Sequence, residues 1–478
     1  MTDRIVFVSG IFNVLHPGHV RLLKYARDFG NKLVVGVLSD AIAGADAHVR
    51  EELRLEAVQL NELVDEAFIV KKSLEDDLKQ LRPAFVVKGK EHSHRHNPER
   101  AVLETYGGRL LFSSGDVTFA SWDLLRNEIP SWGSKSPAMP TSFMNRHELT
   151  RERLRDVLRS FRNLRVVVVG DTIVDEYITC EPLGMSEEDP TLVVTPVSSS
   201  RFIGGAAIVA AHACRLGAEV TFVSVIGDDE PGNFVNEELL RLGVKTRFSL
   251  DDSRPTTLKQ RFRAHEKTLL RVSKLSQRSV DAHFQRQIVE AAGTALSSAD
   301  SLLFSDFNYG VLPQEVVRQI SEIGKRHQVV MSADSQSSSQ LGDISRYSEM
   351  TLVSATEREV RLALRNSEDG INIVAETLLQ RTGSQQIVLK MGADGALLVK
   401  RLDKPGRYEI EQLPALNPTP RDVAGAGDSM LVVTSMALAA KANLWEASLL
   451  GSLAAAVQVS RVGNIPLEPH DLLRELEA

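Results

Sequence analysis

The chain has little cysteine: Cys180 and Cys214 are the only two in 478 residues. Two thiols cannot build a disulfide framework or supply a thiolate metal centre between them, so they read as free buried thiols of a reducing compartment, and a cytoplasmic location is expected. Long apolar runs are also missing. The run Ile5–Val8 after Asp3 and Arg4 is too short for the apolar part of a signal peptide. The longest apolar stretch, Met430–Ala440, is broken by Thr434 and Ser435. It falls short of the roughly 18 residues of a membrane span and reads as a core helix. Basic charge is not in excess either. Lys and Arg number 56 against 63 Asp and Glu, a net charge of −7. That removes the electrostatic case for nucleic acid or a membrane surface as partner, while leaving room for a local basic groove. Internal repeats and low-complexity tracts are absent.

What is there is the composition of an ordinary globular protein, 43% hydrophobic and 25% charged. A chain of 478 residues exceeds one ordinary core, so two or three domains are expected. The first begins with the apolar run Ile5–Val8, followed by apolar residues at helical spacing (22, 23, 26 and 29) and a second apolar run, Leu33–Leu38. The order is strand, turn, helix, strand. Between strand and helix lies Ser9-Gly10-Ile11-Phe12-Asn13-Val14-Leu15-His16-Pro17-Gly18-His19. Pro17 suits the first helical turn, and Gly18 lets the backbone approach a ligand. Both imidazoles, of His16 and His19, then stand at a helix N-terminus, where unpaired N–H groups and the dipole favour an anion. That is a phosphate site.

This segment resembles the HxGH signature of the nucleotidyltransferase family that includes the glycerol-phosphate cytidylyltransferases. The resemblance implies a Rossmann-like domain over residues 1–130. His16 and His19 would stabilise charge at the α-phosphorus, with Gly10 and Phe12 beside the nucleotide, and catalysis would be positioning plus electrostatics. Further along, Arg50–Leu63 reads as a helix containing Glu52-Leu53-Arg54, similar to that family's Glu-x-Arg, which makes Arg54 a nucleotide contact; read alone, the charges form a solvated face. Short strands at Ala67–Val70, Phe85–Val87 and Arg109–Phe112 follow. Lys88-Gly89-Lys90-Glu91-His92 resembles the family's Val-Lys-Gly-x-Asp segment, so Lys88 is expected on phosphate, with Lys90 a weaker candidate. Thr118 and Ser121 are what is left of a Ser/Thr-rich phosphate-binding turn, and Asn13 stands where the family has Asp.

Residues 131–147 are rich in Ser and Pro, lack periodicity and read as a linker. A charged helix, His147–Phe161, then opens a second α/β unit over residues 148–478. Strands are expected at Val166–Val169, Val220–Val225, Ser301–Phe304, Val329–Ser332, Met350–Val353, Gln386–Leu389 and Ala396–Val399. Helical patterns between most of them argue a parallel sheet covered on both faces. Thr191–Pro196 and Leu258–Val272 alternate apolar and polar residues and fit a small β lid.

Near the C-terminal end, Arg421-Asp422-Val423-Ala424-Gly425-Ala426-Gly427-Asp428 precedes a long apolar helix. Small residues before a helix make a nest of N–H donors for phosphate, and the closing carboxylate of Asp428 sits where a hydroxyl would approach. Phosphoryl transfer asks for that pair, a base and an anion hole. The octapeptide resembles the Asp-Thr-x-Gly-Ala-Gly-Asp signature of the ribokinase/pfkB-type sugar kinases. In the same order, Gly170-Asp171, Gly204-Gly205-Ala206-Ala207 and Lys390-Met391-Gly392-Ala393-Asp394-Gly395 resemble that family's sugar-contacting start, di-glycine hinge and nucleotide loop. The resemblance makes Asp428 the base and Gly425, Ala426 and Gly427 the anion hole. Gly392 and Gly395 would lie at the nucleotide, Asp171, Gly204 and Gly205 at the substrate, and Glu359 would organise Mg²⁺ indirectly. Departures from the heptose-kinase branch are Ile208 for Asn, Tyr309 and Gln336 for two lysines, and Thr356 for the Asn of Asn-x-x-Glu.

Together the halves resemble the bifunctional heptose-phosphate kinase/adenylyltransferase family with the domain order reversed. The implied fold is α/β: a Rossmann-like nucleotidyltransferase domain followed by a ribokinase-like domain with a small β lid. The implied chemistry is ATP-dependent phosphorylation, with Mg²⁺, of a sugar or sugar phosphate, and nucleotidyl transfer from ATP or CTP releasing pyrophosphate, as in ADP-heptose synthesis. A homodimer through the lid is expected. The alternative keeps an active cytidylyl- or adenylyltransferase and makes the kinase-like half a binding or dimerising module.

Overall fold

The computed structural model describes residues 4–13, 15, 17–44, 47–71, 73–89, 97–112, 139–186, 189, 191–264, 267–336, 342–402, 406–417 and 419–477. Two compact units emerge, Met1–Ser134 with Arg365–Thr377, and Lys135–Leu364 with Leu378–Ala478.

The first unit is a parallel sheet of β1 (Ile5–Gly10), β2 (Lys32–Leu38), β3 (Glu66–Val70), β4 (Phe85–Lys88) and β5 (Arg109–Phe112) in the order β3-β2-β1-β4-β5. Successive side chains of a strand point to opposite faces, and both faces are covered here. Val6, Val8, Leu33 and Val35 pack with Leu23 and Val58 of the helices Pro17–Arg27 and Glu51–Gln59. Phe7, Val34 and Val86 pack with Leu78 and Leu103 of the helices Leu74–Leu81 and Glu99–Glu104. The strand order reverses at β1 and β4, and a doubly wound sheet opens its ligand crevice at the C-terminal ends of such a pair.

The second unit contains nine main-sheet strands: β6 (Arg165–Gly170), β9 (Glu219–Ile226), β10 (Lys245–Leu250), β13 (Ser301–Asp306), β14 (Val330–Ser335), β15 (Leu352–Thr356), β16 (Gln386–Lys390), β17 (Ala396–Arg401) and β18 (Tyr408–Leu413). Their order is β10-β9-β6-β13-β14-β15-β16-β17-β18, parallel except at β16-β17-β18. A second sheet of β7 (Thr172–Met185), β8 (Leu192–Gly205), β11 (Thr257–Ala264) and β12 (Lys267–Lys274) is the lid. Sequence patterning anticipates only part of it. β7 is buried on both faces over its first half, so it does not alternate, and the expected single stretch at 258–272 is a hairpin of β11 and β12.

Of the expected linker, residues 131–138 lie outside the described residues. The remainder is packed: Thr141–Arg146 is a helix whose Phe143 is wholly buried. His147 stacks on Trp445 at 4.4 Å, and Arg146 forks onto Glu411 at 3.2 and 3.0 Å. The charged helix starts later than expected, at Arg151, because Thr150 caps it by accepting from the Arg153 N–H at 3.2 Å.

Candidate functional site

In the first unit the chain leaves β1 at Gly10, where a Cβ would lie 3.1 Å from the Phe12 ring. Phe12 is itself buried with φ at +56°, a left-handed conformation that costs a bulky side chain energy and is held only where the surroundings fix it. Its ring meets the His19 imidazole edge-on at 5.0 Å, in the first turn of Pro17–Arg27. Asn13 Oδ1 accepts from the backbone N–H groups of His48 and Val49 at 2.8 and 3.3 Å, so the residue in the acidic position ties down a second loop. Lys88 ends β4, beside β1, and donates to Glu99 at 2.7 Å. The fold thus brings Gly10, Phe12, His19 and Lys88 to the C-terminal ends of two adjacent strands. His16, Ser121, Thr118 and Lys90 lie outside the described residues.

Arg54 is placed differently from the expectation of a nucleotide contact. It is 0% exposed. Its guanidinium donates to the carbonyls of Val49 at 2.7 Å, Ile11 at 2.5 Å and Leu38 at 2.8 Å, and to Asp40 at 2.5 Å. A rigid planar fork with several donors suits such a junction, and here it joins the loop after β1 to the end of β2. Arg54 braces the site loop from behind.

In the second unit a cavity of about 620 Å³ is lined from the C-terminal ends of β14, β15 and β16 and from the lid strands β7 and β11. The glycine turn forms one wall. Gly425 has φ at +77°, and a Cβ there would lie 2.3 Å from Asn464 Oδ1, so the position requires glycine twice over. The helix Ala426–Ala439 starts immediately and carries Asp428 in its first turn. Asp428 is 7% exposed and accepts from Gln336 Nε2 at 3.2 Å. Burial, reinforced by the negative charge of Asp334 and opposed by Lys390, raises its pKa to about 7. Such a carboxyl can hold or release a proton near neutrality. Lys390 bonds Asp334 at 2.6 Å, and burial lifts Asp334 to about 6.

Gly392 and Gly395 both line this cavity at positive φ, the latter because a Cβ would lie 2.1 Å from the Leu413 carbonyl. Gly204 must stay bare, since a Cβ would meet Asp175 Oδ2 at 2.4 Å, and Gly205 lines the cavity at φ +60°. Glu359 also lines it. Its carboxylate accepts from the Thr356 N–H at 2.7 Å while Thr356 Oγ1 accepts from the Glu359 N–H at 3.3 Å, a reciprocal helix cap in which Thr356 replaces Asn without loss of the cap.

Asp171 is not where a substrate contact was expected. Its buried carboxylate accepts from the N–H groups of Phe307, Tyr309 and Val311 at 2.8, 3.3 and 3.2 Å and shapes the 307–311 loop. Asp175, four residues on in β7, lines the cavity instead, 6% exposed, with Arg261 at 3.4 Å and Asn464 Nδ2 at 3.5 Å. The available signal was weak: Asp175 follows the apolar pair Ile173-Val174 but stands beside a further carboxylate, Glu176, in a strand with several polar residues. Lys259, Arg261, Lys390 and Asn464 also line the cavity; the sequence reading placed Lys390 in a motif without a role, Lys259 and Arg261 in an alternating lid stretch, and Asn464 in no motif. Ala415, Leu416, Ala456 and Val459 add an apolar part to the cavity lining.

These sites define an α/β protein with helix starts at the C-terminal ends of its parallel strands, one of them beside a buried carboxylate. Residues 163–471 match the model of the pfkB family carbohydrate kinases, and residues 7–111 match the cytidylyltransferase-like model. The chain belongs to the pfkB carbohydrate kinase family and carries a cytidylyltransferase-like domain ahead of it. Among curated proteins it is 29% identical over 321 residues to the bifunctional protein HldE of Desulfatibacillum aliphaticivorans, covering 66% of this chain and 64% of that protein. It is 32% identical over 326 residues to the bifunctional protein HldE of Rhodopseudomonas palustris, covering 67% and 65%. The chain therefore spans just under two thirds of the length of these relatives. Among solved structures, a ribokinase from Thermotoga maritima matches with a TM-score of 0.53 at 20% identity, over 66% of this chain and 100% of that one. Phosphofructokinase-2 from Escherichia coli matches with 0.54 at 16%, over 66% and 98%. These two likenesses concern the fold. Among the described residues no helix is long and apolar enough to cross a membrane.

Proposed function

We propose that the chain is a bifunctional transferase of nucleotide-sugar synthesis. The second unit phosphorylates a hydroxyl of a sugar or sugar phosphate from ATP, and the first, residues 1–130, transfers a nucleotidyl group to a sugar phosphate and releases pyrophosphate, as in ADP-heptose formation. The observation that carries the reading is the buried Asp428, in the first turn of the helix that the Gly425–Gly427 turn opens, lining one cavity with Asp175. A base, an anion hole and a hydroxyl-binding carboxylate together make phosphoryl transfer possible; a binding module has no use for an acid at an anion nest.

In the kinase step Asp175 and Asn464 orient the acceptor, and its hydroxyl oxygen attacks the γ-phosphorus. The bond from that phosphorus to the bridging oxygen breaks, ADP leaves, and the hydroxyl proton passes to Asp428. The turn's N–H groups stabilise the transferring oxygens. The base of ATP lies against the apolar part of the lining at Leu416 and Val459. Mg²⁺ keeps most of its water and takes few carboxylates. Glu359, fixed by the Thr356 N–H at 2.7 Å, fits an outer contact to such an ion. When bound, Mg²⁺ neutralises phosphate charge. In the transferase step His19, with His16, stabilises the α-phosphate as the sugar phosphate displaces pyrophosphate.

Tyr309 and Gln336 present no positive charge, so we propose that the accepted substrate is not heptose 7-phosphate itself. The exposed apolar side chains of the lid, Leu183, Met185, Val197 and Leu270 among them, support a homodimer through that sheet. A cytoplasmic location accords with the free thiols of Cys180 and Cys214. A second reading, an active cytidylyl- or adenylyltransferase with a catalytically weak kinase-like module, is favoured by the same uncharged Tyr309 and Gln336. The test is a panel of sugars and sugar phosphates assayed with γ-labelled ATP for phosphoryl transfer, and with ATP and CTP for pyrophosphate release. His19→Ala is expected to lower pyrophosphate release on the order of 10²–10³-fold. Label transfer to no acceptor would select the second reading.

A further inference from the structure

We propose that Lys390 is a further catalytic residue of the phosphoryl-transfer site, contacting the γ-phosphoryl group of ATP from the floor of the main sheet. The inference rests on the kinase reading of this cavity and deepens it.

The geometry is specific to this side chain. Lys390 closes β16 and lines the cavity, and its ammonium lies beside the anion turn: a Cβ built on Gly427 would be 3.2 Å from Nζ. An ammonium carries three N–H donors, and one goes to Asp334 at 2.6 Å. The charge is out of solvent, with a side chain 12% exposed, and a buried ammonium is held only where partners compensate its lost hydration. Asp334 offers one such partner, yet its other oxygen, Oδ1, is buried without a hydrogen bond among the described residues, so the pair is not a closed, saturated bridge.

The other charged groups facing the ammonium are Glu359 from the helix after β15 and Asp428 from the helix after the turn. Three carboxylates around a phosphate site would repel the donor's polyanion, and Lys390 is the group that offsets them. The cavity's other basic side chains come from the lid strand β11: Lys259 lies 5.3 and 5.2 Å from the Phe307 and Tyr309 rings, and Arg261 is on Asp175. They serve the acceptor end. Lys259 also bears on Asp428, but from the lid; of these three it is Lys390 whose ammonium lies against the glycine turn, where the γ-phosphoryl group must lie if Asp428 is to receive the acceptor's proton.

A contact to the γ-phosphoryl group is lost when the donor is ADP, and that separates this role from one of merely neutralising Asp334. In the full chain, transfer of label from γ-labelled ATP to the best acceptor of the panel reports the kinase site alone, because nucleotidyl transfer releases that label as pyrophosphate. Lys390→Met is expected to lower kcat on the order of 10²–10³-fold and to raise the KM for ATP, while the inhibition constant of ADP stays within about twofold. Lys390→Arg, which keeps the charge and so the fold of the cluster, is expected to recover at least about tenfold of the lost rate. Because Lys390 lies in the second unit, the retained inhibition by ADP, rather than pyrophosphate release by the first unit, reports that the variant site is folded. Equal weakening of ATP and ADP by Lys390→Met, or a kcat within about threefold of wild type, overturns the inference while leaving the kinase reading standing. Transfer of label by the wild-type chain to no acceptor overturns both.

Discussion

Replacing Arg54 by Met separates a phosphate ligand from an internal brace. The wild-type guanidinium is wholly buried and satisfies the carbonyls of Val49, Ile11 and Leu38 as well as the Asp40 carboxylate. Methionine matches much of the aliphatic volume but donates nothing, so three part-buried carbonyls lose their partner. Asp40 is 46% exposed in its side chain and regains water, which limits its share of the loss. Three part-buried carbonyls left without that donor cost roughly 1 kcal/mol each, about 3 kcal/mol together. Measured against the roughly 5–15 kcal/mol that holds a whole domain, this is a large fraction. For a unit of roughly 150 residues about 2–4 °C of melting temperature is lost per kcal/mol, so a drop of at least about 6 °C is expected. Differential scanning calorimetry of the full chain reads it as a shift of the first unit's transition, with the second unit's transition in place. Arg54→Lys is expected to recover less than half, because a single ammonium cannot reach carbonyls in three directions. An unchanged melting temperature together with at least a tenfold rise in the nucleotide KM would refute the brace and restore the phosphate contact.

Phosphoryl transfer is expected to lose about tenfold in rate per pH unit below about 7, because the base must be ionised and burial raises Asp428 to about 7. Asp334→Asn removes a neighbouring negative charge and should move that limb to lower pH, whereas Asp428→Asn should abolish turnover; a profile flat to pH 5 would contradict the assignment. Gly425→Ala forces a Cβ against Asn464 at a positive φ and is expected to cut transfer by at least about 10²-fold with pyrophosphate release unchanged, both read from initial rates. His212 is wholly buried, accepts from the Leu467 N–H at 3.0 Å, and has its pKa lowered by burial from 6.5 to about 3. Its stabilising contribution is therefore complete above pH 6.5 and is lost as the pH falls towards 3, at about 1.4 kcal/mol per unit. Urea unfolding of wild type and His212→Asn at pH 7 and pH 5 checks it, the variant being expected to show the shallower slope.

Much of the fold was legible because local patterns carry it. Short apolar runs separated by helical spacing mark buried strands, and the core strands of both units fall where those runs are, although β17 proved antiparallel to its neighbours. The edge strands β10 and β18 and the first half of β7 were not legible. Edge strands are half-polar and lack a run, and β7 is enclosed on both faces, so its pattern does not alternate. The packing of Phe143 beneath a Ser/Pro-rich stretch was equally invisible, since one aromatic in a polar segment gives no period.

By itself the sequence determined the glycine turn at Gly425 and the place of Asp428, because each depends on residues adjacent along the chain: a glycine where φ must be positive, a carboxylate in the first turn of the helix that follows. Tertiary structure alone decided what each long side chain reaches. Arg54 and Asp171 bear charges that sequence assigns to ligands, yet backbone carbonyls and amides from segments up to 140 residues away take them up. Asp175 and Lys390 look like bystanders in the chain, but strand direction carries them from β7 and β16 to one cavity beside Asp428. The reason is physical: local conformation is set within a few residues, whereas the partner of a buried charge is whatever the packed chain brings within about 3 Å.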